Sequence, residues 1–215
     1  MNRLSRLFSR FRASKGAQPA LEPETEGRWV IAGLGNPGDQ YRRSRHNIGF
    51  MIIDFLASKH GIESRSRKFK ALYRQGRLAD TQVILVQSQA FYNVSGESVA
   101  PILEYFRIPP ARLMVVHDDL DLEPGRLRIK QGGSDAGNRG IRSIADALGT
   151  PDFIRVRVGI GRPEPAAQAA EYVLRQMRGD ELRIFQNAIE RAADAIETVI
   201  AEGLEPAMNR YNQRL

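Results

Sequence analysis

Short apolar runs that alternate with amphipathic segments are the feature that most constrains the fold of this 215-residue chain. Turn residues bound six such runs, which predict strands at 29–34, 71–78, 82–87, 113–117, 126–131 and 154–160. Apolar residues recur at helical spacing in four segments, which predict helices at 47–59, 95–106, 139–148 and 181–202. Pro206 limits the last of these, and a short terminal helix is expected to follow. Because strands that alternate with helices are typical of α/β proteins, we predict one α/β domain with a twisted, mixed and largely parallel sheet flanked by helices.

The size, charge and composition of the chain limit the classes of protein to which it can belong. A length of 215 residues suits one domain with a sizeable core. The net charge of +7 favours a polyanionic partner such as a nucleic acid. The chain has no cysteine, which excludes a disulfide scaffold, a thiol nucleophile and a cysteine-ligated metal. No apolar stretch is long enough to span a bilayer.

Residues 1–27 differ from the rest of the chain. They carry five basic residues before the first acid, Glu22, and several apolar residues share one helical face. We predict a basic, disordered extension at 1–27 ahead of a catalytic domain at 28–215. A surface-seeking helix, an organelle transit peptide and an RNA-touching arm are the alternatives.

A glycine-rich turn follows the first predicted strand, where the run from Gly33 to Gly38 reads GLGNPG. This run formally matches a dinucleotide-binding fingerprint, but polar, aperiodic residues stand where a helix should hold a pyrophosphate. His46 comes at the start of the next helical segment and is one of only three histidines. Histidine is the side chain best suited to proton transfer near neutral pH. The turn is therefore expected to place Asn36 beside His46.

The strand at 113–117 ends in an acid-rich segment, HDDLD. Its carboxylates leave open a magnesium-dependent nuclease that would use Asp118, Asp119 and Asp121. A calcium loop is excluded, because Pro124 and Lys130 stand where glycine and a bidentate glutamate are required. A carboxylate here has a second use, which is to orient and charge a histidine. The third interpretation is that these acids are ordinary loop residues exposed to solvent.

Two further segments combine polar groups with turn residues. In FYNVSG, residues 91–96, Asn93 either caps a helix or binds an amide ligand, and Phe91 is placed to stack on one. The glycine-rich segment at 130–140 is not a Walker loop, because it lacks Gly-Lys-Ser/Thr. Its glycines either form a mobile connection or let the backbone close over a substrate. In the second case Lys130 and Arg139 would contact a phosphate.

Five segments, in order and at similar spacing, resemble the bacterial-type peptidyl-tRNA hydrolase family. They are Gly35–Gly38 with Tyr41, Arg45–Asn47, Phe91–Gly96, His117–Gly125 and Arg155–Pro163. The similarity extends from residue 29 to the C-terminus. It implies a single-domain, monomeric α/β enzyme without metal or other cofactor, which hydrolyses the ester between a peptide and the 3′ end of tRNA. It also implies peptidyl-tRNA as the partner, no membrane partner, and a cytoplasmic location, or an organellar one if residues 1–27 are a transit peptide.

The resemblance assigns roles to matching residues of this chain. His46 would be the general base for the attacking water, and Asp118 would orient His46 and stabilise its charged form. Asn36 and Asn93 would hold the peptide and the scissile carbonyl. The remaining substrate contacts implied are Tyr41 and Phe91 near the tRNA end, Asn138 in the glycine-rich loop, and Lys130 and Arg157 on tRNA phosphates.

The chain departs from the family pattern in that loop. The family usually has Gly-His-Asn-Gly, whereas this chain has Gly137, Asn138, Arg139 and Gly140. Either Asn138 takes the role of the asparagine from one position earlier, or the substrate is gripped differently. A second basic residue is replaced by Ala166, for which Arg162 is the expected substitute. We expect activity to be retained; the alternative is a relative that binds RNA without turnover.

Overall fold

The computed structural model describes residues 27–165 and 168–213, whose core is one seven-stranded sheet. The strands are β1 (Trp29–Gly33), β2 (Ser66–Lys68), β3 (Ala71–Leu78), β4 (Thr81–Ser88), β5 (Leu113–Asp119), β6 (Leu127–Gln131) and β7 (Ile154–Gly159). Their order across the sheet is β2-β3-β4-β1-β5-β7-β6. The basic extension and the substitution at Ala166 lie outside the described residues, apart from Gly27.

The predicted mixed sheet is confirmed, and its parallel pairings form its centre. Strand β1 pairs in parallel with β4 and β5, and β5 pairs in parallel with β7. Antiparallel pairings occupy the edges, where β2 pairs with β3, β3 with β4, and β6 with β7. The central strands are buried on both faces and read as continuous apolar runs, as parallel strands do.

Six α-helices flank the sheet in the described part of the chain. They are α1 (Ile48–Lys59), α2 (Gly96–Phe106), α3 (Arg139–Leu148), α4 (Ala169–Leu174), α5 (Asp180–Glu202) and α6 (Leu204–Tyr211). One face of the sheet packs on α1 and α5, and the other packs on α2 and α3. None of these helices is long and apolar enough to cross a membrane.

Two elements were absent from the sequence prediction. The edge strand β2 is fully exposed and basic, so it carries no apolar alternation to detect. Helix α4 has six residues and none of them is buried, so its apolar side chains do not form a core stripe. Each predicted element has an observed counterpart, and the bounds differ by no more than a residue or two at each end.

Two glycines set the spacing between helix α1 and the sheet. A Cβ atom added to Gly33 would lie 2.3 Å from the backbone oxygen of Gly49, and one added to Gly49 would lie 2.5 Å from the oxygen of Val116. Side chains at either position would push the helix away from β1 and β5. This close packing brings the residues that precede α1 against the carboxyl end of β5.

Candidate active site

A cleft opens at the carboxyl ends of the parallel strands β1, β4 and β5, where α/β sheets bind ligands. Its volume is about 610 Å³. Six of the nine predicted site residues line it: Asn36, His46, Phe91, Asn93, Asp118 and Asn138. Leu120 and helix α4 form an apolar part of the remaining wall. The rest of the lining is mostly polar and includes Tyr92, Asp119, Asp121, Asp135, Arg139 and Arg162.

His46 and Asp118 form the central pair of the cleft. Nδ1 of His46 lies 2.9 and 3.0 Å from the two carboxylate oxygens of Asp118. The His46 side chain is 18% exposed and the Asp118 side chain 4% exposed. The carboxylate can only accept a hydrogen bond, so Nδ1 carries the hydrogen and Nε2 is left as the basic nitrogen.

Asp118 is held in its charged form by its neighbours. Burial acts to raise the pKa of Asp118, but the charge of His46 and hydrogen bonds from His46 and Tyr92 outweigh it, so that the pKa lies below its ordinary value. The preceding residue, His117, is buried in place, and burial lowers its pKa. The carboxylate is therefore charged at neutral pH and available to a charged imidazole.

Asn36 is fixed from both sides, by its backbone and by its side chain. Its backbone N–H donates to Oδ1 of Asn47 at 2.9 Å, and its backbone oxygen accepts from Nδ2 of Asn47 at 2.9 Å. Its side-chain Oδ1 accepts from the backbone N–H of Tyr92 at 3.0 Å. Because that oxygen is occupied by a backbone donor, the Nδ2 group is the part of the amide left for a ligand.

Two residues with a part in this geometry were missed by the sequence analysis. Asn47 and Tyr92 stand inside the quoted motifs, yet neither received a role of its own. Both are buried, and their importance lies in side-chain contacts between segments far apart in the sequence. The available signal was their position directly beside His46 and Asn93, within two motifs expected to meet.

Asn138 lies in the wall of the cleft as the N-terminal cap of α3. Its Oδ1 accepts from the backbone N–H of Ile141 at 3.0 Å, and its Nδ2 donates to the hydroxyl of Tyr92 at 2.8 Å. Both ends of the side-chain amide are thus bonded within the protein. The next residue, Arg139, is exposed and lines both the cleft and an adjoining groove between α2 and α3.

The other predicted site residues occupy different surroundings. Phe91 stands at the rim of the cleft with 65% of its surface exposed. Tyr41 lies outside the cleft lining, in a helical turn at Asp39–Tyr41. Lys130 on the edge strand β6 and Arg157 on its neighbour β7 also lie outside it.

Arg157 is largely buried and is paired with an acid. Its Nε donates to Oδ2 of Asp119 at 2.6 Å, and the two side chains are 13% and 8% exposed. Asp121 pairs with Arg162 at the surface. Three acids close in sequence therefore have three different partners: Asp118 with His46, Asp119 with Arg157, and Asp121 with Arg162. Within residues 27–165 and 168–213, no group of three or more His, Asp or Glu side chains is arranged to hold a metal ion.

An imidazole held by a buried carboxylate, next to amide donors in an open cleft, is the arrangement with which hydrolases activate water. The fold and the cleft are thus those of an α/β protein of the hydrolase class.

Comparison with known proteins identifies the family. The family model described as peptidyl-tRNA hydrolase matches residues 30–215. The peptidyl-tRNA hydrolase of Frankia alni is 46% identical over 193 residues, which cover 90% of this chain and 98% of that protein. The enzyme of Chloroflexus aggregans is 44% identical over 185 residues, covering 86% and 98%. The crystal structure of peptidyl-tRNA hydrolase from Acinetobacter baumannii superposes with a TM-score of 0.81 at 33% identity, covering 86% of this chain and 95% of that one.

The chain belongs to the peptidyl-tRNA hydrolase family. It is an enzyme that hydrolyses the ester bond of peptidyl-tRNA, and its function lies in translation.

Proposed function

We propose that His46 is the general base that activates the water for ester hydrolysis, with Asp118 as its partner. The observation that carries this proposal is the pair of contacts of 2.9 and 3.0 Å between Nδ1 of His46 and the Asp118 carboxylate. They fix the tautomer that leaves Nε2 free to take a proton, and they stabilise the imidazolium that results. General-base assistance of this kind contributes roughly two to four orders of magnitude in rate.

The reaction proceeds in two proton transfers. Nε2 of His46 takes a proton from water as the water oxygen attacks the ester carbonyl carbon. The tetrahedral intermediate then collapses, the bond to the 3′ ribose oxygen of tRNA breaks, and that oxygen takes the proton back from Nε2. The products are the free peptide carboxyl group and tRNA with its ribose hydroxyl restored.

Asn36 and Asn93 are proposed to hold the scissile carbonyl and the peptide. The Oδ1 atom of Asn36 is occupied by the backbone of Tyr92, so its Nδ2 group is oriented as a donor. Asn47 holds the Asn36 backbone with two hydrogen bonds, so the donor is already in place before the substrate binds. A preorganised donor stabilises the charge that develops on the carbonyl oxygen.

A basic face on strands β6 and β7 is proposed to bind tRNA phosphates. Leu127 and Ile129 point into the core, so the alternate residues Arg128 and Lys130 lie on the opposite face of β6. They stand directly across from Arg157 and Arg155, respectively, on β7. Like charges opposite each other in a sheet are destabilising, and a phosphate backbone would relieve that repulsion.

The electrostatics of Lys130 agree with this role. Partial burial and the neighbouring cations Arg155, Arg157 and Arg128 lower the pKa of Lys130. Nearby, Arg155 is buried and donates to the backbone oxygens of Ser134 and Gly133 at 2.6 and 2.8 Å, which holds the glycine-rich loop over the end of the sheet. A phosphate at this face would meet Arg128 and Lys130, beside a loop that the buried Arg155 holds in place.

Hydrolysis of an N-blocked aminoacyl-tRNA tests the proposal. Purified protein should release the blocked amino acid at an undiminished rate in excess chelator and leave the tRNA chain uncut. The same blocked amino acid esterified to a mononucleotide is the matched control, and should be a much poorer substrate because it lacks the phosphates. A rate abolished by chelator, or scission of the tRNA chain, would contradict the proposed chemistry. Absence of release at micromolar enzyme would contradict the proposed chemistry and indicate a relative that binds RNA without turnover.

We further propose that the protein acts as a monomer in the cytoplasm. The substrate of the family is a product of translation, and the resemblance to the family implies a monomer. Light scattering coupled to size exclusion should give a mass near 24.1 kDa. A mass twice that value would contradict the monomer.

A further inference from the structure

Tyr92 lies at the centre of the cleft's polar network. It begins the helical turn Tyr92–Val94 that follows strand β4, and only 5% of its surface is exposed. Its ring stacks on the imidazole of His46, with ring centres 3.6 Å apart and planes 11° from parallel. The absence of a side chain at Gly140 makes room for this ring, since a Cβ atom there would lie 2.7 Å from it.

The hydroxyl of Tyr92 joins two other groups of the cleft. It donates to Oδ1 of Asp118 at 2.7 Å and accepts from Nδ2 of Asn138 at 2.8 Å. The direction of each bond is fixed. The Asn138 amide cannot be turned over, because its Oδ1 accepts from the backbone N–H of Ile141. The single hydroxyl hydrogen of Tyr92 must therefore point to Asp118.

We propose that Tyr92 is a positioning residue for hydrolysis, and that Asn138 acts through it. The ring fixes the plane of the His46 imidazole, and the hydroxyl fixes the rotation of the Asp118 carboxylate. The inference rests on the proposed roles of His46 and Asp118. It assigns a purpose to the altered loop: the asparagine at 138 orients the Tyr92 hydroxyl instead of reaching the substrate.

The chemistry of the site supports this assignment. Burial raises the pKa of Tyr92 well above its ordinary value, and the charge of Asp118 adds to this effect. The hydroxyl therefore stays a donor throughout the working pH range. A carboxylate that accepts both an imidazole and a phenol is held against rotation more firmly than one that accepts an imidazole alone.

The test is single-turnover hydrolysis of N-blocked aminoacyl-tRNA from pH 5 to pH 9 by wild type and Tyr92→Phe. Phenylalanine keeps the stacked ring and removes only the hydroxyl. We expect a rate at neutral pH lower by about tenfold, the order of one hydrogen bond to a charged group. The acid limb of the profile should move to higher pH, because the Asp118 carboxylate without the phenol donor binds the charged His46 imidazole more strongly. The affinity for tRNA should change by less than about twofold, since Tyr92 is buried and away from the basic face.

Two further variants separate positioning from simple packing. Tyr73→Phe is the matched control, because Tyr73 is also buried but lies on β3 against Phe106. It should leave the rate and the pH profile unchanged. Asn138→Ser keeps a cap for α3 and removes the donor to Tyr92. It should slow the wild-type enzyme and add nothing in the Tyr92→Phe background.

A wild-type rate and an unmoved acid limb in Tyr92→Phe would overturn the inference, as would additive losses in the double variant. These outcomes differ from failure of the proposed function. If His46→Ala still hydrolyses the ester, His46 is not the general base. If His46→Ala is inactive and Tyr92→Phe is normal, only the positioning role of Tyr92 is wrong.

Discussion

Two consecutive carboxylates at the end of β5 line the same cleft but have different basic partners. Asp118 contacts His46, which comes from the segment before α1, and it lies inside the cleft. Asp119 contacts Arg157 on the neighbouring strand β7, on the side where the basic face lies. Both pairs are largely buried and both distances are short. In the proposed mechanism, Asp118 holds the base and Asp119 holds a cation beside the path of the RNA.

The difference between them comes from the pleat of a strand. Successive side chains point to opposite sides, so adjacent acids cannot serve the same partner. The sequence HDDLD shows three acids without distinguishing their roles, whereas the fold gives each of them a different basic partner. All three acids line the cleft, but each is paired with its own basic residue, and the described residues contain no group of three His, Asp or Glu side chains arranged to hold a metal ion.

Exchanging each carboxylate for its amide should give the largest contrast. Asp118→Asn should lower kcat by about a thousandfold with little change in KM, because the amide cannot hold the imidazole in the required tautomer or stabilise its charge. Asp119→Asn should leave kcat within about threefold and raise KM several-fold, because Arg157 loses its fixed position. Steady-state kinetics with N-blocked aminoacyl-tRNA measures both. Equal losses of kcat in the two variants would contradict the different roles proposed for Asp118 and Asp119.

Removal of the Asn36 amide should have the next largest effect. Asn36→Ala should lower kcat by about a hundredfold, the order expected for one preorganised donor to a developing oxyanion. The variant Asn36→Asp, of similar shape, replaces the Nδ2 donor by an acceptor and should be at least as slow. The measurement is kcat with saturating substrate. A normal kcat in either variant would remove Asn36 from the proposed mechanism.

Lys130→Ala should weaken RNA binding without slowing the chemical step. We expect KM to rise by about tenfold at low salt, and the slope of log affinity against log salt to fall by about 0.9, the contribution of one phosphate contact. Arg77→Ala is the matched control, because Arg77 is exposed beside the β3–β4 turn at the other end of the sheet. A similar salt slope in both variants would argue that net charge, rather than the β6–β7 face, binds the RNA.

The smallest effect concerns stability in acid. The pKa of Asp118 lies below its unfolded value of 3.8, so its ionisation stabilises the fold above that pH. The contribution is lost as the pH falls through the lower, folded-state pKa. Denaturant unfolding of wild type and Asp118→Asn should therefore show a difference in stability at pH 7 that narrows below pH 4. A constant difference across this range would mean that the charge of Asp118 does not stabilise the native state.

Much of the fold could be predicted because its apolar periodicity is regular. Strand β3 and helix α3 were predicted at their observed bounds. Strand β2 was not, because an exposed edge strand needs no apolar side chain, and α4 was not, because it has only six residues and none of them is buried. At the site, the motifs indicated His46, Asp118 and Asn36. The roles of Asn47, Tyr92 and Asn138 depend on which hydrogen-bonding atoms meet, and no spacing along the chain specifies that.

The most direct test of the account compares two histidines in one assay. His46 and His60 stand near opposite ends of α1, and each contacts an acid, Asp118 and Glu197 respectively. Single-turnover hydrolysis of N-blocked aminoacyl-tRNA should fall by about a thousandfold in His46→Ala and stay within about twofold of wild type in His60→Ala. Binding of tRNA should be nearly unchanged in both variants. Hydrolysis by His46→Ala at a rate close to that of wild type would contradict the central claim.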